Sequence, residues 1–323
     1  MAKTKTVEKE LIIKVSWLYY FGNLTQLEIA KKLNLSRPKV GRLLSKAREQ
    51  GIIQIQFSPE IESFHIEIEN ELENRFGLSE AIVVESGENH EELIDNLGRA
   101  AARFLDRTLE GDFLLGLGMG SSLAAIPKYL KQRNDSQGTI ITLSGGFSQP
   151  GHDTNDLNSS WPLAQKLDAR LEILYCPLYV DSEETRSVLM KEESLKSQLA
   201  KATHCDIAVI SIGVIGTEMG LYKRDYINYE DVDELINAGA IGEILISFYD
   251  QEGNVVKTEL DKRNIGLGID ELRNIPITVG VSGGLTKTLP ILGALRNGLL
   301  NVMVTDLITA QAVLELDSRL KNE

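Results

Sequence analysis

Cysteine, histidine and long apolar runs are all scarce in this chain, and each shortage removes a class of function. The 323 residues contain two cysteines, Cys176 and Cys205, each inside an apolar, strand-like run. That excludes a disulfide-stapled scaffold and predicts two buried free thiols. The four histidines, His65, His90, His152 and His204, show no ligand spacing, so neither a metal nor a cofactor is expected. No apolar run is long enough to span a membrane and none at the N-terminus resembles a signal peptide, which predicts a cytoplasmic protein with no membrane partner. A Gly-x-Gly-x-x-Gly fingerprint with a placed ribose-binding acid is also missing, which excludes NAD. Positive charge is short overall: 34 Lys+Arg against 47 Asp+Glu give −13. A protein coated in nucleic acid is therefore excluded.

The average hides a partition. Residues 1–57 carry eleven Lys/Arg against four Asp/Glu, leaving 23 basic and 43 acidic residues for the rest. A small basic module on a large acidic body suits local contact with DNA, because the body would repel it. Within the module, Leu27, Ala30 and Leu33 recur at helical spacing behind Thr25, a candidate N-cap. Asn34 and Leu35 make a turn, and Ser36 is the next N-cap candidate. Pro38 falls in a first helical turn, where backbone donors lack partners in any case. The second helix would bury Val40, Leu43, Leu44 and Ala47, leaving Ser36, Arg37, Lys39, Arg42, Lys46 and Arg48 on its other face. This is the pattern of a helix-turn-helix, in which such side chains reach base edges and phosphates. The expected DNA-binding set is Thr25, Gln26, Ser36, Arg37, Lys39, Arg42 and Lys46. An amphipathic helix over 7–21 would complete the head, with Val7, Leu11, Ile12, Val15, Leu18 and Tyr19 on its apolar face, and Ile52–Phe57 reads as a short closing strand before Pro59.

Length allows two domains. The expected boundaries are a head at 1–57, a linker helix at 58–80 and an effector-binding body at 81–323. The linker carries Ile61, Phe64, Ile68, Leu72 and Phe76, a stripe that would pack on the body or on a second copy. From Ala81 the chain alternates strands and helices. Strands are expected at Ala81–Val84, Phe113–Leu117, Thr139–Leu143, Leu171–Tyr175, Asp206–Ile212, Ile244–Tyr249, Ile277–Val281 and Asn301–Val304, with a hairpin over Phe248–Val256. The alternation predicts a doubly wound, mostly parallel α/β sheet beside an all-α head.

In such sheets ligands bind beyond the strands' carboxyl ends. Four glycine-bearing loops follow strands here. The first, Gly116–Leu123, offers Gly118, Gly120, Ser121 and Ser122 as a phosphate or polyol cradle. The second holds Ser144, Gly145, Gly146 and Gln149, with His152, Thr154 and Asn155 beyond. The third holds Gly213 and Gly216. The fourth, Val281–Lys287, has Gly284 and ends on Lys287, a partner for an anion.

The run Leu24-Thr25-Gln26, Ser36-Arg37, Val40-Gly41-Arg42-Leu43-Leu44 and Gly51-Ile52-Ile53, followed by this body, resembles the SorC family of sugar-responsive transcriptional regulators over nearly the whole chain. Thr142–Gly146, Phe248-Tyr249-Asp250 and Gly283-Gly284 with Lys287 extend the likeness. The resemblance implies a sugar-phosphate isomerase/deaminase-like fold, a homo-oligomer (dimer or tetramer), operator DNA as partner and a small-molecule effector. It also implies that Gly120, Ser121 and Ser122 cradle a phosphate with Lys287, and that Asp250 accepts from sugar hydroxyls. Many relatives have threonines where Ser121 and Ser122 stand; the hydroxyls are kept. An unphosphorylated sugar or polyol is the alternative effector. An isomerase or deaminase would need a positioned base. Glu218 and Asp250 could serve, yet no carboxylate–histidine constellation is evident, and no catalytic residue is assigned.

Overall fold

The computed structural model describes residues 2–54, 65–134, 136–146, 155–223 and 225–322. It divides into two units, Met1–Glu62 and Ser63–Glu323.

The first unit holds three helices, α1 (Ala2–Tyr20), α2 (Gln26–Leu33) and α3 (Arg37–Glu49). Thr25 and Glu28 form a capping box at the start of α2: the Thr25 hydroxyl accepts from Glu28 N–H while Thr25 N–H donates to the Glu28 carboxylate at 2.8 Å. Asn34 ends α2 at φ 53, a left-handed conformation that a short amide side chain tolerates. Ser36 occupies the N-cap position of α3 without a side-chain capping bond, and Pro38 lies in the first turn. Ile12, Val15, Leu18, Ile29, Ala30, Val40, Leu43, Leu44 and Ala47 form the core, with Leu33 packed at its edge. Leu27 does not join it, being 54% exposed. Ile29 takes its place, because the buried face of α2 turns toward α1 and α3. Residues 52–54 are irregular rather than extended, and the rest of the expected closing strand, with Pro59, lies outside the described residues.

The second unit opens with α4 (Ile66–Phe76), which buries Leu72 in the body's own core beside Ile68 and Phe76. Ile61 and Phe64 lie outside the described residues. A seven-stranded parallel sheet follows, built from β1 (Glu80–Val84), β2 (Leu114–Leu117), β3 (Thr139–Thr142), β4 (Arg170–Glu172), β5 (Ile207–Ile210), β10 (Ile277–Val281) and β11 (Val302–Asp306). Their order is β1-β11-β10-β5-β2-β3-β4. Side chains alternate across the sheet: Ile207 and Val209 face one core while Ala208 and Ile210 face the other. One face is covered by α5 (His90–Thr108), α6 (Ser121–Ala124), α7 (Ile126–Tyr129) and α8 (Asn155–Leu167). The other face is covered by α4, α14 (Thr288–Arg296) and α15 (Leu307–Leu320).

The expected strand Asp206–Ile212 splits at Ser211 into β5 and β6 (Ile212–Val214), which belong to different sheets. The second sheet is antiparallel, β6-β7-β8-β9, with β7 (Gly242–Ile244), β8 (Ser247–Tyr249) and β9 (Val255–Val256). Between β7 and β8, Leu245 takes φ 55 and reverses the chain where the sequence suggested one strand. The short helices α9 (Glu183–Leu189), α10 (Glu193–Ala202), α11 (Gly220–Lys223), α12 (Tyr229–Asn237) and α13 (Ile269–Leu272) complete the unit. The open edge of β1 is guarded: Ala81 and Val83 N–H donate at 2.9 Å to Glu73 and Glu69 of α4. These carboxylates occupy donors that another strand would otherwise pair with.

Candidate functional site

Two surfaces gather the candidate functional side chains. On the head, Arg37, Lys39, Arg42, Lys46 and Arg48 are exposed along α3. Lys46 is partly committed, donating at 2.7 Å to Glu8 of α1. That bond holds the Glu8 carboxyl below its ordinary range. A cleft of about 330 Å³ opens between α1, α2 and α3, lined by Tyr19, Gln26, Arg42, Ser45 and Arg48 among others. Thr25, expected at the DNA, has its hydroxyl in the capping box. Tyr19 and Ser45 were not in the sequence-derived set. Tyr19 reads there as a core residue, and only the fold turns it to the cleft.

In the body, a cavity of about 260 Å³ sits over the carboxyl ends of β2, β5 and β10, adjacent strands in the middle of the sheet. Its wall comes from separate loops: Met119, Gly120 and Ser121 after β2, Ser211 and Gly213 around β6, Glu218 and Leu221 beyond it, Glu243 and Leu245 at β7, and Lys287 before α14. Gly120 has φ 145, and a Cβ there would meet the Ser211 Cβ at 2.7 Å. Gly213 passes so close to Glu243 that a Cβ would lie 2.5 Å from its Cγ. Both positions therefore need glycine for the wall to close as it does. The first backbone bonds of α6 run from Leu123 and Ala124 to the Gly120 carbonyl. Ser121 N–H precedes them, beside its own hydroxyl.

Charge in the cavity is arranged in two signs. Lys287 is half-buried. Burial pushes its ammonium below the ordinary lysine range, and the Glu243 carboxylate partly restores it. Glu218 leans outward to Lys223 at 2.5 Å. The result is one cationic group, two serine hydroxyls and two carboxylates around a space of small-molecule size.

The sequence-predicted residues divide accordingly. Gly120, Ser121, Gly213 and Lys287 line the cavity. Gly118, Ser122, Gly216 and Gly284 support these loops without lining it: Gly118 packs against Leu245, Ser122 is buried in α6, and Gly216 and Gly284 make turns at positive φ. Ser144, Gly145 and Gly146 stand apart. Gly146 N–H donates to the Cys176 carbonyl, and Leu178 N–H donates back to Gly146 at 2.9 Å, so this loop pins the segment carrying Leu178 to the cavity. Asp250, expected to accept from sugar hydroxyls, is not among the residues lining this cavity. Its Oδ1 accepts from the N–H groups of Glu252 and Asn254, and its Oδ2 from Asn254 Nδ2, so the carboxylate closes the β8–β9 turn. The acids that line the cavity are Glu218 and Glu243. Gln149, His152 and Thr154 lie outside the described residues.

Residues 62–315 match the family described as "Putative sugar-binding domain", and residues 22–54 match "Winged helix-turn-helix DNA-binding". The transcriptional regulator LsrR of Klebsiella pneumoniae is 33% identical over 315 residues, covering 96% of this chain and 94% of that one. The chain belongs to the SorC family of sugar-binding transcriptional regulators. The sorbitol operon regulator of the same species is 29% identical over 308 residues, with 94% and 98% covered. Its full-length crystal structure superposes with a TM-score of 0.74 over 94% of this chain and 98% of that one. Like these relatives, this SorC-family chain is a DNA-binding transcriptional regulator with a sugar-binding effector domain, and not an enzyme. Among the described residues no helix is long and apolar enough to cross a membrane.

Proposed function

We propose that this regulator controls a carbohydrate operon and that a phosphorylated sugar in the body's cavity modulates its grip on operator DNA. The single observation that carries the reading is the two-signed wall. Lys287, short of solvation, faces the same space as Ser121 and the glycine-bearing turn before α6, a set of donors suited to a phosphate. Glu243 and Glu218 line the same cavity and supply acceptors for sugar hydroxyls. Donors for an anion and acceptors for hydroxyls in one cavity suit a sugar phosphate. Two heads on an oligomer would meet operator half-sites at a fixed spacing, so an effector that changes how the heads are held changes affinity for DNA.

A panel of pentose and hexose phosphates with their free sugars tests this by thermal shift, on wild type and Lys287→Ala. A ligand that binds only the folded state raises the melting temperature by mass action. A phosphorylated sugar should shift wild type, and the shift should shrink in Lys287→Ala. A shift from free sugars or polyols alone would instead favour the reading that the two carboxylates support, an unphosphorylated effector.

A further inference from the structure

Lys287 reaches the cavity from a turn held by a side chain that lines no part of the cavity. Asp306 ends β11, is 2% exposed, and its carboxylate collects four donors, from the Ser86 and Gly284 loops and from Thr309 in the first turn of α15. Oδ1 accepts from Gly284 N–H at 2.8 Å and from the Thr309 hydroxyl at 2.6 Å. Oδ2 accepts from the Ser86 hydroxyl at 2.7 Å and from Thr309 N–H at 3.2 Å. Gly284 N–H is shared with Thr309 Oγ1 at 2.8 Å, and Ser86 Oγ in turn accepts from Ile308 N–H at 3.1 Å. The glycine pair before Lys287 is shaped around this carboxylate. A Cβ at Gly283 would lie 2.4 Å from Asp306 Oδ1, and Gly284 takes φ 97. From Gly284 the chain makes a single 3-10 turn, Leu285–Lys287, in which Lys287 N–H bonds back to the Gly284 carbonyl at 2.9 Å. Lys287 is thus one short, rigid turn from the residue that Asp306 holds.

We infer that Asp306 is the positioning residue of the effector cavity, fixing the Gly283–Lys287 turn so that the Lys287 ammonium is presented to the ligand. The role deepens the effector reading and rests on it for its purpose, but not for its test. A buried carboxylate receiving only two hydroxyls could be exchanged for an amide by turning the hydroxyls. This one also receives two backbone N–H groups, one at each oxygen, and those cannot turn. Asparagine at 306 sets an amide donor against either Gly284 N–H or Thr309 N–H whichever way it is rotated. One of the tied loops must then give way.

The test is ligand-free. Trace acetylation of every lysine across a pH series, read by peptide mass spectrometry, gives a titration midpoint for Lys287 beside those of exposed Lys131 and Lys257. In wild type the Lys287 midpoint should lie below theirs. In Asp306→Asn and in Thr309→Val it should rise to theirs, and Thr309→Ser should restore the wild-type value. Removing a negative charge without freeing the turn would move the midpoint down, so the sign separates positioning from plain electrostatics. Thr309→Val changes no charge and serves where Asp306→Asn fails to fold. The proposal is overturned if Thr309→Val melts like wild type and keeps the wild-type Lys287 midpoint, or if wild-type Lys287 titrates with the exposed lysines. Failure of the sugar-phosphate reading would show separately, in the thermal-shift panel.

Discussion

The head and the body place their functional groups in opposite ways. In the head, one unbroken stretch from Thr25 to Arg48 supplies the capping box, the turn and the basic face, so neighbours in sequence are neighbours in space. In the body, the cavity wall draws single residues from loops as far apart as Met119 and Lys287, and it closes only when the central strands pair. The head spends its charge in the open, where each contact is a local matter between a side chain and DNA. The body desolvates one ammonium and sets it against carboxylates, so its chemistry depends on packing. Damage to the head should therefore be clean and separable, whereas damage to the body should appear in binding and stability together.

The sharpest attempt to break this contrast is the pair Arg37→Ala and Arg42→Ala. Each should cost ~1–3 kcal/mol of operator binding, about ten- to hundredfold, if it reads a base edge. Effector-induced thermal shifts should be unchanged, and their loss in these variants would contradict the separation. Comparable in size is Lys287→Met, which should weaken a phosphorylated effector by ~1.5–3 kcal/mol in titration calorimetry. Burial lowers the Lys287 pKa in the folded state, so between that value and the ordinary lysine range the unfolded chain binds the proton better. Wild-type stability should thus gain from this group as pH rises through that window, and the gain should be absent in Lys287→Met in pH-scanned melts.

A smaller effect separates the two acids of the second sheet. Glu243→Gln should lower sugar affinity several-fold to about tenfold, since a neutral amide accepts hydroxyls less strongly than a carboxylate. Asp250→Ala should leave affinity alone and lower stability by ~1 kcal/mol, the worth of a turn's hydrogen bonding. Smallest is Glu69→Gln at the guarded edge of β1. Burial raises this carboxyl's pKa despite the Val83 N–H bond. Its contribution to stability is present below the ordinary carboxylate range and is lost as pH rises through the folded value. Glutamine keeps the acceptor without the charge, so melting at neutral pH should match or slightly exceed wild type, with neither binding activity altered.

How much could be read in advance follows the same division. The helix-turn-helix was legible because its signals are local: a capping residue, a turn at Asn34 and Leu35, a proline in the first turn and apolar spacing along α3. The alternation of apolar strands with helices gave away the parallel sheet, and Gly120, Ser121, Gly213 and Lys287, singled out for their place just beyond strand ends, line the central cavity. Glu243 was missed because Leu245 reverses the chain inside what reads as one strand, turning β7 to meet β6. Ser211 was hidden similarly, inside a run that splits between two sheets. Asp250 was attractive as an acid after a strand; in the structure its carboxylate accepts from its own turn and does not line the cavity. Leu27 has the spacing of a core residue and is exposed, since periodicity locates an apolar face only to within a residue or so.

The most direct test of the account follows operator affinity by fluorescence anisotropy, with and without a saturating sugar phosphate from the panel. The duplex would be selected from random DNA by the wild-type protein. The effector should change wild-type affinity by about tenfold or more, the scale of a 1–3 kcal/mol coupling between sites, and leave that of Lys287→Ala unmoved. An effector that binds wild type yet leaves its operator affinity unaltered would contradict this, as would an equal response from Lys287→Ala.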